Sequence, residues 1–86
     1  MTAELFNAIA FRFISHASYS DEYISVYEST NFAPTIAIKV FTKRKKDAFE
    51  TTRSRREYHF MGEVYRSKDS LLNAINKYQN KQEEKL

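Results

Sequence analysis

With 86 residues, the chain is long enough for one small domain, and its aromatic side chains (seven Phe and six Tyr) can supply much of the core. It has no cysteine, which excludes disulfide bonds and thiolate metal sites and fits a cytoplasmic protein held together by packing alone. No apolar run approaches the roughly 20 residues of a membrane-spanning helix, and the acidic start at Glu4 is unlike a secretory signal peptide.

The formal net charge of +3 is unevenly distributed along the chain. The segment from Lys39 to Lys68 holds ten of the 14 cationic residues and four carboxylates, whereas the first 38 residues hold one cation and four carboxylates. Charge this segregated on a small domain predicts an electropositive surface, and that surface is the best guide to a partner.

The N-terminal segment has two interpretations. Thr2 followed by Glu4 is typical of a helix start, with a polar cap and a carboxylate in the first turn. Four apolar residues then recur at helical spacing and predict a helix within residues 3–15: Phe6, Ile9, Ala10 and Phe13. Apolar residues also alternate there, so a strand through Ala8–Ile14 is the alternative.

Strands are predicted next, at Tyr23–Glu28 and Thr35–Thr42, with a polar break at Ser18–Glu22 before them and a turn at Ser29–Pro34 between them. Residues 43–54 form a mostly basic connection that is either a long hairpin loop or includes a short extra strand. Alternation resumes through residues 56–66, where Gly62 predicts a bulge or a close backbone contact.

The last element is a helix that begins after Ser67, the predicted N-cap. Its apolar stripe consists of Leu71, Leu72, Ile75 and Tyr78, and the polar chain from Gln79 onward is expected to fray. The whole predicts one α+β domain spanning residues 1–86, with its core at about 3–79 and a polar tail at 80–86. Its three- or four-stranded antiparallel sheet carries an N-terminal and a C-terminal helix packed on one face.

The order helix, three strands, helix resembles the double-stranded RNA-binding domain over about residues 4–78. The resemblance rests on Glu22–Glu28, on the turn with Pro34 and the strand Thr35–Val40, and on the junction from Gly62 to Lys68. It implies two helices on one face of a three-stranded sheet and binding of duplex RNA. Of the family's motif in the loop between the first two strands, the chain retains Pro34. Of the basic residues that begin the family's last helix, it retains Lys68.

The connection between the second and third strands carries the densest charge. Its cations are candidates for contact with phosphate or with an acidic protein surface: Lys43, Arg44, Lys45, Lys46, Arg53, Arg55 and Arg56. An equally weighted interpretation is a solvated hairpin whose lysines keep a sheet edge from aggregating.

Aromatic side chains are predicted on the sheet face opposite the helices. Alternation places them opposite Ile24, Val26, Ile36, Ile38 and Phe60: Tyr23, Tyr27, Phe41, His59 and Tyr65. There they could stack bases or anchor a protein interface, or they could simply cover each other and the stems of Lys39 and Arg55. Four of the five, Tyr23, Tyr27, Phe41 and Tyr65, join Lys39, Lys68 and the connection's cations as candidate binding residues.

The sequence favours a non-enzymatic binding protein with no cofactor and no metal. His16 and His59 are its two histidines, in different predicted elements, and no catalytic or ligand spacing is visible. In size and character the chain resembles small phage and mobile-element inhibitors such as anti-CRISPR proteins. That resemblance implies docking on a host nucleic-acid-handling protein or ribonucleoprotein. Direct binding of RNA or DNA is the alternative, and a homodimer formed by edge-strand pairing is a third possibility.

Overall fold

A computed structural model describes residues 2–43 and 54–84. Over those residues the elements are α1 (Ala3–Asn7), β1 (Phe11–Ser18), β2 (Glu22–Ser29), β3 (Ile36–Lys43), β4 (Ser54–Phe60), β5 (Glu63–Tyr65) and α2 (Lys68–Glu84). The strands form one antiparallel sheet in the order β1-β2-β3-β4-β5, and both helices pack on the same side of it. The α+β prediction is confirmed, with five described strands instead of three or four.

The N-terminal segment divides into a short helix and a strand, so the predicted helix within 3–15 is wrong beyond Asn7. Thr2 caps α1 as expected, because its Oγ1 accepts a hydrogen bond from the Leu5 N–H at 3.2 Å. The side chain of Asn31 holds the link into β1: its Oδ1 accepts from the Ala10 N–H at 2.8 Å and its Nδ2 donates to the Ala8 carbonyl at 3.4 Å. These bonds replace the helical ones and leave the chain free to pair with β2 from Phe11 onward.

The predicted single strand through residues 56–66 is instead a hairpin. Met61 and Gly62 form its two-residue turn with φ angles of 54° and 81°, and β4 and β5 pair on either side. Two consecutive positive φ angles are the mark of the type I′ turn, whose twist matches that of the flanking strands. Gly62 is therefore a turn residue and not a bulge.

The core lies where α2 crosses the sheet. Ser67 caps α2 through its Oγ, which accepts from the Ser70 N–H at 3.1 Å. Two residues of the predicted stripe are fully buried at 0% exposure, Leu71 and Ile75, and α2 continues past the predicted fraying point to Glu84. The buried cluster consists of Phe6, Ile36, Ile38, Tyr58, Phe60, Leu71 and Ile75. None of the described helices has the length and apolarity needed to cross a membrane.

The pairing of β2 with β3 reverses the predicted orientation of β2. Tyr27 lies opposite Ile38 and Tyr23 opposite Thr42, and residues paired across strands share a face. Both tyrosines therefore lie on the side of the helices, where Tyr27 packs against the core and T-stacks on Phe13 at 5.8 Å. Their predicted placement on the other face is wrong. The tyrosines of β2 and the aliphatic residues that alternate with them are both apolar enough to face the core, so alternation alone does not determine which set does.

Tyr65 is corrected in the same way. It pairs with the buried Tyr58 and packs against the core, so it also lies on the side of the helices. We call the opposite side of the sheet the open face. It carries Phe41 and His59, as predicted, together with Ile24 and Val26, which were expected in the core.

These placements predict unequal costs for two similar substitutions. Ile36→Ala removes a fully buried side chain and should lower the free energy of unfolding by roughly 2–5 kcal/mol. Ile24→Ala removes a half-buried side chain from the open face, and its effect on the free energy of unfolding should be less than about half as large. Urea denaturation of both variants measures the difference; equal losses would contradict the assigned orientation of β2.

Candidate interaction surface

The centre of the open face is apolar. Ile24 lies directly opposite Phe41 on the neighbouring strand, and Val26 lies one position further along β2 on the same face. Ala37 lies further along β3 on the same face, beyond Lys39. All four side chains are half-buried, because each is covered by its cross-strand neighbours and by neither of the described helices. Within residues 2–43 and 54–84, apolar side chains on this sheet face are thus left accessible.

Charged residues border these apolar side chains, and Lys39 lies among them, directly opposite Val26. On the open face, register places four cations and three carboxylates among the described residues: Arg12, Lys39, Lys43, Arg55, Glu22, Glu28 and Glu57. Several lie directly across from an opposite charge, such as Arg12 from Glu28 and Lys39 from Glu57. The described part of this face is consequently mixed in charge, and not uniformly electropositive.

Arg55 is held in a defined position on this face. Its guanidinium carbon lies 4.2 Å from the centroid of the Phe41 ring, within the range of a cation–π interaction. One of its nitrogens lies 3.9 Å from a carboxylate oxygen of Glu57. The Arg55 side chain nevertheless remains 62% exposed, so its remaining N–H groups can bind a partner.

Glu57 links Arg55 to His59. A second oxygen of this carboxylate lies 3.5 Å from His59 Nε2, which is buried and has no hydrogen-bond partner within the described residues. Arg55, Glu57 and His59 thus follow one another along β4 on the open face. No group of three potential metal-ligating side chains occurs in the described parts of the chain.

The structure brings together four of the predicted site residues, Lys39, Phe41, Lys43 and Arg55, on the open face. Arg56 follows Arg55 in β4 and faces the helix side, as do Tyr23, Tyr27 and Tyr65.

Lys68 lies beside α1, where its Nζ donates to Asn7 Oδ1 at 3.0 Å and sits 5.0 Å from the Phe6 ring centroid. It therefore helps to join the two helices at a place away from the open face. The remaining predicted cations, Arg44, Lys45, Lys46 and Arg53, lie outside the described residues.

Sequence reasoning missed Ile24, Val26 and Glu57 as members of this surface. Alternation shows that two sets of side chains face opposite ways, but it does not say which set meets the helices. The informative signal is register: Phe41, Arg55 and Glu57 become neighbours only once β3 and β4 are aligned across the long connection. That alignment is a property of the folded sheet.

Comparison with known proteins found no matching family model, no matching curated protein and no matching solved structure.

The contact between Arg55 and Phe41 makes a measurable prediction. In a double-mutant cycle with Phe41→Leu and Arg55→Gln, the coupling energy should be about 0.5–1 kcal/mol, as for cation–π pairs at exposed sites. Free energies of unfolding for the four proteins provide the cycle. Additive single effects would show that Arg55 does not rest on the ring.

Proposed function

We propose that this protein is a non-catalytic binding module that docks on a partner protein through the open face of its sheet. The observation that carries the proposal is the cluster of Ile24, Val26 and Phe41 on a sheet face that also carries charged side chains next to them. An apolar centre with a polar rim is the usual anatomy of a protein–protein interface, where the centre supplies most of the affinity.

Arg55 and Phe41 are the proposed anchors of this interface. Arginine and large aromatic side chains are enriched among the residues that dominate binding energy, and Arg55 is already oriented by the ring and by Glu57. An oriented side chain loses less conformational entropy on binding than a free one. The pair therefore supports a preorganised contact with a carboxylate of the partner.

The charges of the open face favour a protein partner over a nucleic acid. Glu22, Glu28 and Glu57 stand among the cations of this face and would repel a phosphate backbone. A partner protein with both carboxylates and apolar side chains complements this surface better.

The sequence adds positive charge directly after Lys43. Residues 44–53, which connect Lys43 to β4 along the chain, contain four cations and two carboxylates and so contribute a net charge of +2. A partner with a predominantly acidic surface is therefore favoured, and complementary charge would speed association. We further propose that the protein acts as a small inhibitor or regulator of a nucleic-acid-handling protein or complex.

A matched pair of variants tests the proposed interface. Lys43→Gln with Arg55→Gln removes two charges from the open face, whereas Arg56→Gln removes an exposed charge from the other side of the same strand. We expect the first variant to bind the partner about tenfold more weakly or worse, and the second to bind it like the wild type. The partner is obtained by affinity capture from the source organism and titrated against each purified protein.

Two outcomes would contradict the proposal. One is a partner that binds K43Q/R55Q as tightly as the wild type. The other is direct binding of duplex RNA, duplex DNA or single strands that falls steeply with salt, with a log–log slope near −3 to −4 for about four phosphates. That second result would replace the protein partner with a nucleic acid.

A further inference from the structure

A groove lies between α2 and the β4–β5 hairpin, on the side of the sheet opposite the open face. Its volume is about 450 Å³, and it is open to solvent along one side. Phe60, Tyr65, Ala74 and Tyr78 contribute apolar lining, and Phe60 and Tyr78 meet edge-to-face with centroids 5.8 Å apart. Three features of the groove are unfavourable or neutral for the fold and are explained together by a bound segment.

The first feature is Met61, which lines the groove at the tip of the hairpin. Its φ of 54° lies in the left-handed region, where an L-residue with a long side chain is strained and where Asn, Asp or Gly is usual in this turn. The side chain is nevertheless 58% exposed and gains little from burial. Exposed methionines are typical of adaptable binding surfaces, because the side chain is flexible and polarizable.

The second feature is a pair of like charges. Lys77 and Lys81 both line the groove, and their spacing of four residues places them one above the other on α2. Such a pair destabilises a helix slightly. The groove lining contains these two cations and no carboxylate within the described residues. The local charge is thus positive at the edge of an apolar groove.

The third feature is the kind of polar group that accompanies the lysines. Ser70, Asn73 and Gln82 also line the groove. Hydroxyl and amide side chains both donate and accept hydrogen bonds, so they can pair with the N–H and C=O groups of an extended peptide. Phosphate oxygens only accept, so a nucleic acid backbone would leave the acceptor oxygens of these side chains without a donor, whereas the N–H groups of a peptide can supply one.

We propose that this groove binds an acidic peptide segment of a partner protein. An apolar side chain of the segment lies on the half-buried Tyr65 and Tyr78 beneath Met61, and its carboxylates pair with Lys77 and Lys81. Because the Cβ atoms of those lysines are about 5–6 Å apart, the segment needs two carboxylates close together in sequence. The site is separate from the open face and does not depend on the function proposed for it.

The probe is a peptide of sequence EEFEE, capped at both ends and titrated into the isotope-labelled full chain while amide chemical shifts are followed by NMR. We expect shifts to concentrate at Met61, Ala74, Lys77 and Lys81. Matched peptides, QQFQQ and EEAEE, should each bind several-fold more weakly. Equal binding of QQFQQ would overturn the charge recognition, and shifts centred on Phe41 of the open face would overturn the site.

Protein variants separate binding from folding. Lys77→Gln with Lys81→Gln should weaken EEFEE about fivefold, as expected for the loss of two exposed ion pairs, while Arg56→Gln, which lies outside the groove lining, binds it like the wild type. Met61→Asn should raise the melting temperature by about 2–6 °C, because Asn tolerates the left-handed turn, and should still weaken the peptide. If Met61→Asn bound EEFEE as tightly as the wild type, or melted at a lower temperature, the assignment of Met61 to a binding site would be wrong.

Discussion

The packing of α2 on one side of the sheet is the constraint on which the rest of the structure depends. Leu71 and Ile75 are buried without residual exposure among Ile36, Ile38 and Phe60, and Phe6 of the short α1 completes the same cluster. The helices that the structure describes are too few and too short to cover both sides of the sheet. One side therefore receives the core, and the other is left as the open face with its own apolar centre.

Much of the framework could be predicted from the sequence, because it is encoded locally. Ser67 and the stripe of Leu71 and Ile75 specify α2, while alternation specifies β2 and β3 with boundaries correct to within one residue. The N-terminal segment and the β4–β5 hairpin could not be predicted as well. In the first, helical and alternating spacings overlap; in the second, a Met-Gly pair forms a turn that is usually marked by Asn-Gly or Asp-Gly.

The composition of the candidate surface depended on information that is not local. Adjacent cations such as Arg55 and Arg56 face opposite sides of a strand, so a dense charge run does not become a single charged face. The orientation of β2 was decided by the packing of Tyr27 on Ile38 and Phe13. The open face and the groove beside α2 thus lie on opposite sides of one thin domain, and each can contact a different part of a partner.

The most direct test of this account is the reactivity of single cysteines introduced at Ile24 and Ile36. Because the chain has no cysteine of its own, each variant contains a single reactive thiol. Both positions carry isoleucine in an alternating strand, and the structure places them on opposite sides of the sheet. With a maleimide reagent under native conditions, the cysteine at position 24 should be modified readily, whereas the cysteine at position 36 should react only after unfolding. Equal protection of both cysteines would mean that the face carrying Ile24 is covered, and would contradict the proposed open face.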